Sequence, residues 1–287
     1  MVSSPILLDF QSSTPCLSEV VEEMSAYWTK NFANPSSKGN FSGLYASAAL
    51  EVSRNKIKEN LNLQNKKIIF TSGATESNNL ALFGFARNFQ QKTCKCGNII
   101  TLKTEHKAVL EPLRQLKKEG FSVTELNPAS DGLISEETLL SALREDTFLI
   151  SIMLANNEIG VVQPIQKIFE ICKKNNIKLH TDAAQCLGYL PIKNFDSLAN
   201  MITLSSHKIY GPKGIGLLII DEDIQLNPLL YGGGQEYGYR SGTIALPLIV
   251  GFSKALELAI KNQERNSIQL AKLRDALMNG LLKKNSK

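Results

Sequence analysis

Short apolar runs of strand length alternate with longer segments of helical period through most of this chain, and that alternation leaves few architectures open. The strand-like runs cover residues 67–71, 98–102, 123–126, 147–154, 177–181, 201–205 and 216–220. Helical period fills 77–90, 107–119, 135–143 and 165–175, and a long helix is expected from Leu246 into the C-terminus. The expectation is an α/β fold with seven strands in one mostly parallel sheet, covered by helices. In open sheets of this kind the ligand crevice lies beyond the carboxyl ends of the strands, so polar residues just after the apolar runs are where chemistry should sit.

Several function classes drop out. The longest apolar runs, such as residues 215–220, fall well short of the ~20 residues that cross a bilayer. Met1 to Pro5 lacks a basic stretch followed by a long apolar one, so no secretory signal is expected. Five cysteines (Cys16, Cys94, Cys96, Cys172 and Cys186) are an odd count that does not read as a disulfide framework, which favours a reducing compartment, the cytoplasm. Cys94-Lys95-Cys96 reads as an ordinary loop. His106, His180 and His207 form no pair at metal-ligand spacing, so no metal site is expected. The formal charge of +5 comes entirely from residues 251–287. There basic and apolar residues alternate at helical spacing, which points to a solvated helix face rather than nucleic-acid binding.

Three segments at strand ends carry chemistry. Thr71-Ser72-Gly73-Ala74-Thr75-Glu76 is a small-residue turn from strand to helix, where free amides and the helix dipole favour an anion. Such a turn also serves simple packing. His180-Thr181-Asp182-Ala183-Ala184-Gln185 puts a carboxylate at a strand end, where it must be paired, hydrogen-bonded or protonated, or else caps a helix. Ser205-Ser206-His207-Lys208 leads a strand into a polar turn holding a lysine. A lysine in such surroundings loses its proton more readily and can condense with an aldehyde, although most lysines are surface residues.

These segments occur in one order with Thr104-Glu105-His106-Lys107, Asn156-Asn157-Glu158-Ile159-Gly160, Gly232-Gly233-Gly234-Gln235-Glu236 and Arg240-Ser241-Gly242-Thr243. Leu8-Asp9 and Asn34-Pro35-Ser36-Ser37 extend the match to almost the whole chain. The set resembles the cysteine desulfurases of iron–sulfur cluster assembly and nitrogen fixation, class V aminotransferase-like proteins of pyridoxal-phosphate fold-type I. The resemblance implies a three-layer large domain and pyridoxal 5'-phosphate as cofactor. It implies that Lys208 holds the cofactor covalently, that Asp182 faces its ring nitrogen, and that Gln185 and Asn157 bond its phenolic oxygen. His106 is expected to stack on the ring and move protons, which suits an imidazole. Ala74, Thr75, Ser205 and His207 are expected at the phosphate, with Thr243 reaching the phosphate of a second subunit in a homodimer.

In that family L-cysteine is the substrate. A cysteine on a mobile loop of a C-terminal domain attacks its sulfur, leaving a persulfide for a scaffold or sulfur-acceptor protein and releasing alanine. That loop and the arginine for the substrate carboxylate are expected beyond residue 287, and none of the five cysteines matches the nucleophile. The organisation expected is a cofactor-binding domain over residues 1–250, then residues 251–287 as a helix leading toward the missing domain. Leu270, Leu273, Leu277 and Leu281 form an amphipathic stripe on that helix. Two other functions stay open: a non-catalytic, dimerising cofactor-binding module, or another class V reaction such as aminotransfer or β-elimination, which needs no thiol.

Overall fold

A computed structural model describes residues 6–285 except residue 193, so the reading of Met1 to Pro5 lies outside the described residues. Seven strands form one sheet: β1 (Lys66–Thr71), β2 (Asn98–Leu102), β3 (Ser122–Leu126), β4 (Thr147–Ser151), β5 (Lys178–Asp182), β6 (Met201–Ser205) and β7 (Gly216–Asp221), in the order β1-β7-β6-β5-β4-β2-β3. Neighbours from β3 to β6 run parallel, whereas β7 is antiparallel to both β6 and β1. The short link from β6 to β7 explains the reversal, because a parallel return needs a crossover of a dozen or more residues.

Side chains alternate across a strand, so a run that is apolar throughout must be covered on both sides. Leu217 and Ile219 of β7 enter one core while Leu218 and Ile220 enter the other, and Ile100 and Ile99 of β2 divide the same way. Helices α3 (Ala74–Asn79), α4 (Phe85–Thr93), α5 (Lys107–Lys118), α6 (Glu136–Ser141) and α7 (Ile165–Lys174) stand where helical period was read. The first begins earlier than residue 77 and passes through a π-turn at Leu80–Gly84.

Two helices were missed, α1 (Ser18–Thr29) and α2 (Phe41–Asn60). Their buried faces explain why: α1 buries only Val20 and Met24, and α2 buries Gly43, Ser53 and Arg54 along with its apolar residues. Arg54 gives the fork-on-carboxylate geometry that favours arginine in buried pairs. Its Nη2 donates to Glu236 Oε1 at 2.8 Å and its Nη1 to Glu236 Oε2 at 3.2 Å, and Phe70 N–H donates to the same Oε2 at 2.8 Å. This ties the loop 232–243 to α2 and β1.

The single long C-terminal helix is two, α8 (Leu246–Lys261) and α9 (Gln263–Asn285). At Asn262 the backbone leaves helical geometry, and its side chain and its N–H both donate to Leu258 O. α8 packs on α1 and α2 and buries Phe252, Ala255 and Leu256, so a division at residue 250 falls inside a core helix. The leucine stripe of α9 is exposed, from Leu270 at 48% to Leu277 at 65%.

Candidate active site

The carboxyl ends of the parallel strands open onto a cavity of about 590 Å³. Ser72 to Glu76, His106, Met153, Asn157, Asp182, Gln185, His207, Lys208 and Lys213 line it, together with Gln11, Ser12 and Ser13. Residues more than a hundred positions apart are gathered there because the lining residues from Ser72 onward stand in segments that follow strands of the same sheet, with Gln11 to Ser13 reaching the cavity from the N-terminal segment.

Asp182 ends β5 and is 5% exposed. Burial raises the pKa of its carboxyl, against bonds from Ala184 N–H at 3.0 Å and Asn78 Nδ2 at 2.7 Å and against the charges of His106 and Lys208. A carboxylate in that position gains from a further cationic partner at the cavity. Glu105, buried one residue before His106, accepts from Met153 N–H at 2.8 Å. Burial pushes this carboxyl well up, and the negative Asp182 adds to the effect.

Lys208 follows β6 on a single 3₁₀ turn and is half-buried. Burial lowers the pKa of its amine, with Asp182 and Asp9 opposing. Its Nζ donates to the carbonyls of Gln11 at 2.6 Å and Ser12 at 3.0 Å. Gln185 Nε2 also donates to Gln11 O, at 3.0 Å, so the segment 9–14 lies across the cavity. Thr14 secures that segment, its N–H and Oγ1 both donating to His207 O. Burial lowers the pKa of His207, and Lys208 and Lys213 lower it further.

His106 caps α5, its Nδ1 accepting from Ala108 N–H at 3.0 Å. In the neutral ring this leaves the proton on Nε2. Asn156 is architectural, donating to Thr104 O and accepting from Glu158 and Ile159 N–H, while its neighbour Asn157 faces the cavity. At the turn after β1, Gly73 has φ +151°, a conformation close to glycine-only. A Cβ there would enter open space, while a Cβ on Gly216 would come within 2.7 Å of Gly73 Cα, so the turn is both open toward the cavity and tight against β7.

Of the residues expected at the site, Ala74, Thr75, His106, Asn157, Asp182, Gln185, His207 and Lys208 meet in this cavity. Ser205 is fully buried and does not line it, and its Oγ has no hydrogen-bond partner among the described residues. Thr243 is exposed and also lies outside the lining. Gln11 to Ser13, Asn78, Glu105 and Lys213 were missed. Leu8-Asp9 was the one nearby sequence signal for the first group.

A family model described as aminotransferase class-V matches residues 6–285. The chain belongs to that family. The class V chain is 46% identical over 281 residues to cysteine desulfurase IscS of Histophilus somni, which covers 96% of this chain and 69% of the relative. It is 46% identical to the mitochondrial cysteine desulfurase of Eremothecium gossypii, covering 97% of this chain and 56% of the relative. The chain thus spans between about half and about two-thirds of these relatives' length. Among solved structures it superimposes on a NifS-like protein with TM-score 0.93 and 37% identity, covering 98% of this chain and 76% of the other. SspA in complex with cysteine follows with TM-score 0.83 and 42% identity, covering 88% of this chain and 72% of the other.

Class V proteins of this kind depend on pyridoxal phosphate. The cavity fits it: an amine with lowered pKa, a buried carboxylate, an imidazole and two side-chain amides line one space with an open glycine turn.

Proposed function

We propose that this chain is the cofactor-binding part of a cysteine desulfurase, taking L-cysteine to alanine and persulfide sulfur for iron–sulfur cluster assembly or another sulfur acceptor. The observation that carries the reading is the placing of Lys208 and Asp182 on one cavity with His106 and the turn 72–76. Pyridoxal phosphate, when bound, supplies an aldehyde for amines and a ring that draws electrons from the substrate's α-carbon.

The chain's own residues do the rest. Lys208 offers an amine that burial makes easier to deprotonate, so more of it is nucleophilic near neutral pH. Asp182 favours a proton on a ring nitrogen facing it. His106 presents an imidazole fixed at Nδ1, which leaves Nε2 to carry a proton between substrate and solvent. Gln185 and Asn157 orient a phenolic oxygen, and the amides of the turn with Thr75 and His207 hold the phosphate. Ser205 and Thr243 are assigned there from the motif alone.

None of the five cysteines lines the cavity, and Cys172 and Cys186 are buried, their thiol pKa values raised by burial. A thiolate must therefore come from elsewhere. Alanine and persulfide formation from L-cysteine by this polypeptide should rise at least about a thousandfold when the C-terminal domain of a relative is fused to it. Equal turnover without the fusion, lost on replacing one of the five cysteines, would contradict the proposal. Aminotransfer by the unfused chain would favour another class V reaction instead.

We also propose a homodimer in the cytoplasm. Thr243 on an exposed loop and the apolar exposure of Phe32, Phe41 and Tyr231, at 76%, 83% and 82%, support a second copy. The cofactor-loaded chain should sediment as a dimer, and a monomer would rule this out. All five thiols are free, which suits a reducing compartment, and no described helix is long and apolar enough to cross a membrane.

A further inference from the structure

We infer that Arg240 is a positioning residue for the phosphate end of the cavity, because it pairs with Glu76 and so prevents that carboxylate from opposing the anion held by the turn. The inference rests on the cofactor reading above. Glu76 belongs to the turn that lines the cavity, next to Ala74 and Thr75. An unpaired carboxylate in that place would repel a phosphate, because like charges at close range in a partly desolvated site are costly.

Both oxygens of Glu76 are engaged. Oε1 accepts from Arg240 Nε at 2.9 Å, and Oε2 accepts from Ser72 N–H at 2.7 Å. Both side chains are largely shielded, Arg240 at 24% exposure and Glu76 at 16%. Burial alone would raise the carboxyl's pKa, but the bonds from Arg240 and Ser72 outweigh it, so Glu76 is held as an anion with one oxygen on the guanidinium and the other on the Ser72 N–H.

Arg240 can do this because its own loop is pinned. Glu236, four residues earlier, is gripped by both Arg54 Nη atoms and by Phe70 N–H. Arg240 itself bridges to Leu230, and Ser241 N–H donates to Leu230 O at 3.3 Å. Two ion pairs therefore fasten the loop 232–243, one to α2 and β1 and one to the phosphate turn. The guanidinium of Arg240 thus links the fastened loop to the turn.

The test is equilibrium binding of pyridoxal phosphate and of pyridoxal, which lacks the phosphate, to the cofactor-stripped chain. Arg240→Ala should weaken pyridoxal phosphate binding at least about tenfold and leave pyridoxal binding unchanged. Arg240→Lys should keep most of the affinity. Adding Glu76→Gln to Arg240→Ala should restore most of the loss, since a neutral amide no longer repels the phosphate. Equal weakening toward both ligands, or no rescue by Glu76→Gln, would show that Arg240 is only structural and overturn the inference. Native-like pyridoxal phosphate binding by Arg240→Ala would do the same while leaving the cofactor reading intact. A folded native chain that binds neither ligand would remove both. If Arg240→Ala does not fold, Arg240→Gln with and without Glu76→Gln makes the same comparison.

Discussion

Lys208→Ala should abolish covalent retention of pyridoxal phosphate completely, leaving weaker, reversible binding through the phosphate contacts. The loss is all-or-none because it removes the reacting atom. Among the described residues, Lys213 is the only other lysine lining the cavity. Borohydride treatment of the native chain followed by peptide mapping should place the cofactor on the Lys208 peptide, and the variant should carry none. A full equivalent trapped on the Lys213 peptide of the variant would show that the amine is misassigned. The pH dependence follows from the direction of the shift. Burial lowers the pKa of Lys208, so its neutral form becomes available at lower pH than in an ordinary lysine at about 10.4. The loading rate should therefore rise with pH and reach half its maximum below that value. A midpoint at or above it would mean that burial does not activate this amine.

The second large effect is expected at Asp182. Asp182→Asn should slow exchange of the substrate α-proton with solvent by about a hundred- to a thousandfold while changing cofactor occupancy little. Exchange is the right readout because it needs no thiol and can be followed on this polypeptide alone, as deuterium entering L-cysteine or L-alanine. The buried carboxylate accepts from Asn78 and Ala184 N–H, and an amide of the same shape keeps most of that packing. It cannot supply the negative charge that keeps a facing ring nitrogen protonated. The phosphate turn follows a different strand, and Asn78, on the helix that begins in that turn, can bond the introduced amide as it bonds the carboxylate. If occupancy and exchange fall together, Asp182 acts through the fold rather than through the chemistry.

The strands and the central site residues were legible in the sequence for local reasons. A buried parallel strand is a short apolar run whatever its neighbours, and the loop after it must be polar, so Asp182 and Lys208 stood out at strand ends before any contact was known. The order of the motifs then assigned roles to them. What sequence could not show depended on partners far away in the chain. α2 was missed because part of its buried face is polar, and Arg54 is at home there only because Glu236 meets it from 182 residues away. Gln11 and Ser12 reach Lys208 across 197 and 196 residues, and Asn78 reaches Asp182 across 104. Arg240 finds Glu76 across 164. Periodicity and turn chemistry report only neighbours within a few residues. By itself the sequence determined which segments become strands and which side chains stand at their ends, because those follow from local pattern and burial. Only the tertiary structure decided how each charge is compensated, because the groups that pair, shield or shift it arrive on other elements of the fold.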